Sequence, residues 1–172
     1  MEGEERVRTA FERNAQALRL RSSLGRGTAV TRVRLREGLT CEIEEGRWKF
    51  VADMGPKSGG SDEGPNPGVL ARAALGSCLA MGYMMWATRL GIPLSSLEVE
   101  VHADYDSRGY HGVNDVKPGY SQIRYVVSIE SDATEERIMN LLDEADAHSD
   151  FLNVFAEAQD VRREVRIAVP GS

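Results

Sequence analysis

Apolar and polar residues recur with two different periods along the chain, and the change of period predicts its secondary structure. A helical spacing of apolar residues runs through residues 4–20. Three short segments with a period of two follow, separated by turns at Glu37-Gly38 and Glu45-Gly46. This part of the chain is predicted to form a helix and then a three-stranded meander. The apolar positions of the three strands are Val30, Val33, Leu35, Cys41, Ile43, Trp48, Phe50 and Val51.

A run of sixteen uncharged residues, from Ala73 to Thr88, contains Cys78 at its centre and is bounded by Arg72 and Arg89. A segment this long and this neutral predicts a helix that is buried over most of its circumference. A thiol in such a helix is either an inert small hydrophobe or a nucleophile in a dry pocket, and the first is the commoner case.

The ends of this helix are marked in the sequence. Asn66 is a suitable N-cap and Pro67 fits the first helical position. Gly91 and Pro93 indicate the C-terminal end. The glycine- and proline-rich segment before the helix, residues 55–68, is predicted to be a flexible loop that lines or covers a site.

The second half of the chain predicts two strands, two helices and a final strand. A capping box formed by Asp132 and Glu135 is expected to start the first helix, and Ser149 to cap the second. The strand positions are Leu97, Val99 and Val101, then Ile123, Tyr125, Val127 and Ile129, and finally Val165, Ile167 and Val169. The order α-βββ-α-ββ-αα-β belongs to the α+β class, with antiparallel sheets packed on helices.

Composition narrows the class of protein. The chain has 172 residues and a formal net charge of −6, which argues against a nucleic-acid surface. The neutral run is shorter than the roughly twenty apolar residues that span a membrane. The charged N-terminal residues 1–13 do not resemble a signal peptide. We therefore predict a cytoplasmic protein with reduced cysteines, no membrane association, no metal site and no cofactor.

Three sequence elements resemble one family. Pro65-Asn66-Pro67, then Leu70, then Ala73-Ala74-Leu75-Gly76-Ser77-Cys78-Leu79-Ala80 resemble the OsmC/Ohr family of osmotically inducible and organic-hydroperoxide-resistance proteins. The resemblance implies the OsmC-like α+β fold, in which antiparallel sheets wrap around central helices in an intertwined homodimer. It implies an OsmC-like domain at residues 28–172, preceded by an N-terminal helical extension at residues 1–27.

The resemblance also implies a reaction. Cys78 matches the reactive cysteine, and Arg36 in Arg36-Glu37-Gly38 matches the active-site arginine, contributed by the other subunit. The implied activity is thiol-dependent reduction of organic hydroperoxides in oxidative-stress defence. Cys78 lies about 16 Å beyond Pro67, too far for the helix dipole to activate the thiol, so a cation is required. Arg36 is the first candidate and Arg34 the second.

Two positions depart from the family pattern. Gly68 stands where the family has a glutamate that orients the arginine, and Asp62 or Glu63 remains as a substitute. Ser149 lies near the position of the family's second cysteine. Oxidised Cys78 would then be reduced by an external thiol or by Cys41, a residue that is by default a core cysteine.

The candidate substrate pocket is apolar. Its predicted lining is Met81, Tyr83, Met85, Ser149 and Phe151, although at helical spacing such residues more often form ordinary core or dimer packing. His148 is either near this pocket or a favourable charge at a helix end. The alternative function is a non-peroxidase OsmC-like protein that binds a small apolar or electrophilic ligand in a pocket at the dimer interface.

Overall fold

The computed structural model describes residues 2–168, with the side chain of Glu2 excluded. Apart from a single helical turn between the two strands of the second half, the elements follow the predicted order as far as the last helix. They are α1 (Glu2–Leu20), β1 (Arg32–Leu35), β2 (Cys41–Glu45), β3 (Trp48–Ala52), α2 (Pro67–Leu90), β4 (Ser96–Tyr105), the single turn α3 (Ser107–Tyr110), β5 (Tyr120–Glu130), α4 (Glu135–Asp146) and α5 (Asp150–Ala156).

The central helix α2 has the predicted boundaries because both of its ends are fixed locally. The side chain of Asn66 accepts a hydrogen bond from the backbone N–H of Val69 at 3.0 Å, and Pro67 occupies the first turn. Gly91 ends the helix with a φ of 63°, a left-handed conformation that glycine adopts without strain.

The core forms where α2 packs against β4, α4, α1 and α5. β4 and β5 pair as a long antiparallel ribbon, whose apolar side covers one flank of α2. The buried members of the core are Leu75, Leu79, Tyr83, Trp86, Ala87, Ile92, Leu141 and Ala145. Five of these residues belong to α2, so this helix organises the core.

The expectation that α2 is buried around most of its circumference is wrong for a single chain. The buried residues of α2 form one stripe, while Met81 is 65% exposed and Met85 38% exposed. At 24 residues, α2 is also the one helix of residues 2–168 that meets the length and composition of a membrane span. The core helix of a soluble protein meets the same criteria.

The meander is a second, separate sheet in the order β1-β2-β3. Its register places Val33, Ile43 and Phe50 side by side, and Leu35, Cys41 and Ala52 next to them on the same face. Ile43 and Ala52 are buried, but Leu35 is 65% exposed. The opposite face is charged and carries the Lys49–Glu44 ion pair at 2.6 Å. The apolar face of the meander is therefore only partly covered within one chain.

Three local predictions were wrong. β1 begins at Arg32, so Val30 lies before it. Thr134 is the N-cap of α4 and makes no side-chain capping bond, so no capping box formed by Asp132 and Glu135 starts this helix. The final strand is not formed over residues 161–168, which have no regular secondary structure; Val169 lies outside the described residues. A strand needs a neighbour for its backbone hydrogen bonds, and residues 2–168 of one chain provide none here.

Candidate functional site

Cys78 lies in the middle of α2, half-buried and not bonded to another cysteine. Its sulfur is 3.7 Å from the hydroxyl oxygen of Ser149, the N-cap of α5. The same oxygen accepts the backbone N–H of Leu152 at 3.4 Å, so its hydrogen is available to the sulfur. A hydroxyl that donates to sulfur stabilises a thiolate more than a thiol.

The break between α4 and α5 positions Ser149, and a partly buried hydrogen-bond network holds α4 in place beside that break. Asp146, the last residue of α4, accepts hydrogen bonds from Tyr83 of α2 at 2.7 Å and from Tyr125 of β5 at 2.6 Å. Burial and the hydrogen bond to this carboxylate raise the pKa of Tyr125 to about 12, and they also raise the pKa of Tyr83. Both phenols therefore remain donors, which ties α4 to α2 and β5 close to Cys78.

Arg36 follows β1 and forms an ion pair with Glu63, through its Nη2 atom and the carboxylate Oε2 atom. Its Nη1 atom lies 3.8 Å from Glu42 of β2. The hydrogen bond and the charge of Glu63 raise the pKa of Arg36 above its ordinary value. The guanidinium is about half exposed, so the value of this pair lies in orientation more than in stability.

The loop that carries Glu63 is anchored by Asp53, which is 2% exposed. Its carboxylate accepts the backbone N–H of Met54 at 2.7 Å, of Ser61 at 3.0 Å and of Glu63 at 3.3 Å. The hydroxyl of Thr40, in the β1–β2 turn, also donates to it at 3.1 Å. The loop is therefore fixed by hydrogen bonds to Asp53, whereas the sequence predicted a flexible segment.

The hydrogen bonds determine the charge state of Asp53. Burial alone raises the pKa of this carboxyl, but the donors from Glu63, Met54, Ser61 and Thr40 outweigh burial, and its pKa lies below the ordinary value. A lowered folded-state pKa gives stabilisation that is complete above the ordinary carboxyl range. It is lost as the pH falls through the lowered value.

A sequence model described as OsmC-like protein matches residues 59–164, more than half of the chain, including α2 and both of its flanks. The chain belongs to the OsmC-like family. No curated protein matches the chain. Proteins of this family are soluble, which fits the place of α2 in the core; a cytoplasmic location stays a prediction.

Solved structures show the OsmC-like fold. An OsmC-like protein from Mycoplasma pneumoniae has a TM-score of 0.65 at 17% identity, over 76% of this chain and 88% of that one. An organic hydroperoxide resistance protein OsmC from Legionella pneumophila has a TM-score of 0.54 at 15% identity, over 75% and 89% of the two chains. An organic hydroperoxide resistance protein from Elizabethkingia anophelis has a TM-score of 0.57 at 15% identity, over 75% and 88%.

Gly68, which stands in this chain where a glutamate was expected, is closely surrounded by other side chains. A Cβ atom there would be 3.2 Å from Nη1 of Arg72 and 3.4 Å from the hydroxyl of Tyr120. Arg72 donates to the oxygen of Tyr120 at 3.2 Å, and Tyr120 donates to the carbonyl of Gly68 at 3.3 Å. Arg72 and Tyr120 therefore occupy the space beside Gly68. Within residues 2–168 of one chain, Glu63 is the carboxylate that accepts a hydrogen bond from Arg36.

The predicted pocket residues separate into different environments. Met81 and Met85 line an apolar groove of about 860 Å³ between α1, α2 and the start of β4. Tyr83 is not part of it, because this side chain is fully buried and bonded to Asp146. Ser149 lies beside Cys78, and Phe151 is exposed on α5.

Four further predicted candidates make no hydrogen bond to Cys78 within residues 2–168 of one chain. His148 packs against Trp86 at 4.8 Å between ring centroids, and its Nδ1 atom lies 2.8 Å from the carbonyl oxygen of Glu144. Cys41 is a free thiol on the apolar face of the meander. Within residues 2–168 of one chain, no lysine or arginine hydrogen-bonds to Cys78, so Arg36 and Arg34 stay predictions as its cation.

Sequence reasoning missed Asp53 and the pair of Tyr125 and Asp146. A signal for Asp53 was present, since it is a single carboxylate between an apolar strand and a glycine-rich loop, where aspartate commonly bonds nearby backbone N–H groups. The contact of Tyr83 and Tyr125 with Asp146 has no local signal, because the three residues come from three different elements.

The contact between Cys78 and Ser149 gives a direct prediction. Ser149→Cys is expected to form a disulfide with Cys78 upon mild oxidation with diamide, because a sulfur–oxygen separation of 3.7 Å closes to a bond of about 2.05 Å with a small rotation of the side chains. Mass spectrometry of a non-reduced digest detects the linked peptides. Ser77→Cys, on the exposed side of α2, is the matched control and is expected to stay unlinked to Cys78. If the two cysteines of Ser149→Cys remain unlinked after diamide treatment, the contact between residues 78 and 149 is wrong.

Proposed function

We propose that this protein reduces organic hydroperoxides by a one-cysteine, thiol-dependent mechanism, as a homodimer, in oxidative-stress defence. The observation that carries the proposal is the free, half-buried thiol of Cys78 beside the hydroxyl of Ser149, within the OsmC-like region. The names of the Legionella and Elizabethkingia proteins, which state organic hydroperoxide resistance, support the substrate class.

The reaction begins at the sulfur. The Cys78 thiolate attacks the terminal oxygen of the hydroperoxide, a sulfur–oxygen bond forms and the oxygen–oxygen bond breaks. The alkoxide leaves with the electron pair of that bond and takes a proton to become an alcohol. The sulfur is oxidised by two electrons to sulfenic acid, and the peroxide is reduced.

Arg36 supplies the positive charge that stabilises the thiolate, and Glu63 orients Arg36. In the homodimer, the guanidinium of Arg36 from one subunit approaches Cys78 of the other, favours the thiolate and binds the leaving oxygen. Glu63 accepts a hydrogen bond from that guanidinium and so holds its orientation. The partly covered apolar face of the meander and the exposed face of α2 are the surfaces that support a second copy.

The catalytic cycle ends with an external thiol. Ser149 cannot form a disulfide, so an external dithiol attacks the sulfenic sulfur, releases water and forms a mixed disulfide. The second thiol of the reductant then breaks that disulfide and returns Cys78 to the thiolate. A cofactor is not needed for any of these steps.

The test of the proposal is hydroperoxide consumption by the wild-type protein. With dithiothreitol as reductant, we expect catalytic consumption of cumene hydroperoxide and slower consumption of hydrogen peroxide. Without reductant, one equivalent of hydroperoxide should place a dimedone-reactive sulfenic acid on Cys78 and leave Cys41 reduced, as read by peptide mass spectrometry. Absence of consumption with every thiol and absence of dimedone labelling would overturn the proposal.

One observation favours the second candidate, a non-peroxidase OsmC-like protein that binds a small apolar or electrophilic ligand. The groove beside α2 is large enough for a small molecule and is lined mostly by apolar side chains, including Phe11, Met81 and Met85. This function predicts that Cys78 reacts with a bound electrophile and that peroxide is not consumed. Native mass spectrometry of the purified protein, with and without organic extraction, detects a retained ligand.

A further inference from the structure

The described chain contains one buried carboxylate that joins two segments of the proposed site. Asp53 receives four hydrogen bonds, three from backbone N–H groups of the loop and one from the hydroxyl of Thr40. None of its four donors carries a positive charge. A buried ionised carboxylate persists only where several donors replace its lost water, so the surrounding backbone is arranged around it.

The first segment is the β1–β2 turn that carries Arg36. The backbone N–H of Arg36 donates to the carbonyl of Thr40 at 2.9 Å, and the N–H of Thr40 donates to the carbonyl of Glu37 at 3.0 Å. The turn is thus closed on itself, and the Thr40 hydroxyl connects it to Asp53. Movement of Thr40 would move the backbone from which the Arg36 side chain extends.

The second segment is the loop that carries Glu63. Asp53 binds the backbone N–H of Glu63 itself, and that of Ser61 two residues earlier. The loop backbone packs closely against Val51 and Met54 at two of its glycines. A Cβ atom on Gly60 would be 1.9 Å from the carbonyl oxygen of Met54, and one on Gly64 would be 2.3 Å from the carbonyl oxygen of Val51.

We infer that Asp53 is the positioning residue that holds Glu63 against Arg36, and that it therefore fixes the guanidinium that acts on Cys78. The role of the guanidinium rests on the proposed function. The arrangement in which Asp53 holds Glu63 against Arg36, here called the clamp, rests on the contacts of one chain. Glu63 thus acts as the carboxylate partner of Arg36, and Asp53 acts through Glu63 without contact with substrate or sulfur.

The test uses the full chain and the variants Asp53→Asn, Glu63→Gln and the double variant. Asparagine places an N–H₂ group where one carboxylate oxygen accepted hydrogen bonds, so the donors that faced that oxygen lose their acceptor. We expect hydrogen exchange at the Ser61 and Glu63 amides to accelerate about tenfold or more in Asp53→Asn, the scale of one lost buried hydrogen bond. The NMR signals of the Arg36 guanidinium should report restricted rotation in the wild type. They should report free rotation in Asp53→Asn, as in Glu63→Gln.

The second readout is the pH profile of Cys78 alkylation by iodoacetamide. Asp53→Asn and Glu63→Gln should shift the profile to higher pH by similar amounts, and the double variant should add little, because both act through one guanidinium. Asp104→Asn, which removes the partner of Arg124 on the β4–β5 ribbon, is the control and should leave both readouts unchanged. Thr40→Val removes a single donor and serves if Asp53→Asn does not fold; a smaller change in the same direction is expected.

The outcomes separate this inference from the proposed function. If Arg36 keeps its restricted rotation in Asp53→Asn or Thr40→Val, or if the two alkylation shifts add, the positioning role is wrong. If wild-type protein fails to consume hydroperoxide but Arg36 becomes free in Asp53→Asn, the clamp stands and the peroxidase proposal falls.

Discussion

Cys78→Ser is expected to abolish hydroperoxide reduction, with a fall in kcat/KM of roughly a thousandfold or more. The reaction needs a sulfur that is oxidised to sulfenic acid and then attacked by a thiol with release of water, and a serine hydroxyl does neither. The loss should appear in kcat, since serine keeps the size of the side chain and leaves the groove beside α2 unchanged. Steady-state consumption of cumene hydroperoxide with dithiothreitol measures it.

Cys41→Ser is the matched control, because it removes the other thiol of the chain. Cys41 lies on the apolar face of the meander, next to Leu35 and Ala52 across the strands. We expect its substitution to leave kcat/KM close to the wild-type value and to cost some stability. Comparable losses in both variants would show that the two thiols act together, and would contradict a one-cysteine mechanism.

The parts of the fold that could be predicted are those determined by nearby residues. The ends of α2 follow from Asn66, Pro67 and Gly91, whose effects reach only one turn of helix. The meander follows from alternation and tight turns, and β2 and β3 lie where the pattern placed them. Ser149 was predicted as an N-cap for the same local reason.

The parts of the fold that could not be predicted depend on contacts between residues that are distant in the sequence. The apolar alternation at Val165 and Ile167 predicted a strand, but a strand forms only where a sheet edge receives it, and residues 161–168 are unpaired in one chain. Neutrality of α2 predicted burial on most sides, yet Met81 is exposed. In both cases the sequence indicates surface that is suited to burial, without indicating which surface covers it.

The candidate site shows the same division. Cys78 was found from its own helix, and its contact with Ser149 is consistent with a predicted cap that lies near the helix break. The choice between Asp62 and Glu63 as a carboxylate for Arg36 was left open by the sequence, because it depends on the path of a loop. That path is set by Asp53, whose hydrogen bonds turn the backbone so that Glu63 meets the guanidinium.

Arg36→Ala is expected to lower kcat/KM for cumene hydroperoxide by about a hundredfold, the usual effect of removing one charged donor from the reacting atoms. Loss of a cation near sulfur favours the neutral thiol, so the alkylation profile of Cys78 should shift to higher pH. Measurement of both quantities in one variant links the kinetic loss to thiolate formation.

Arg34→Ala is the matched control, since Arg34 lies two residues earlier on β1 and pairs in register with Glu42. It leaves the Arg36–Glu63 ion pair in place and removes a charge of the same sign from the same face, so it corrects for the general field of the meander. We expect a small change in kcat/KM and an unshifted alkylation profile. Glu63→Gln should fall between the two variants, because the guanidinium keeps its charge and loses its orientation. If Arg34→Ala gives the larger loss, Arg34 is the cation that acts on Cys78, and the Arg36–Glu63 pair is a surface ion pair of little consequence for catalysis.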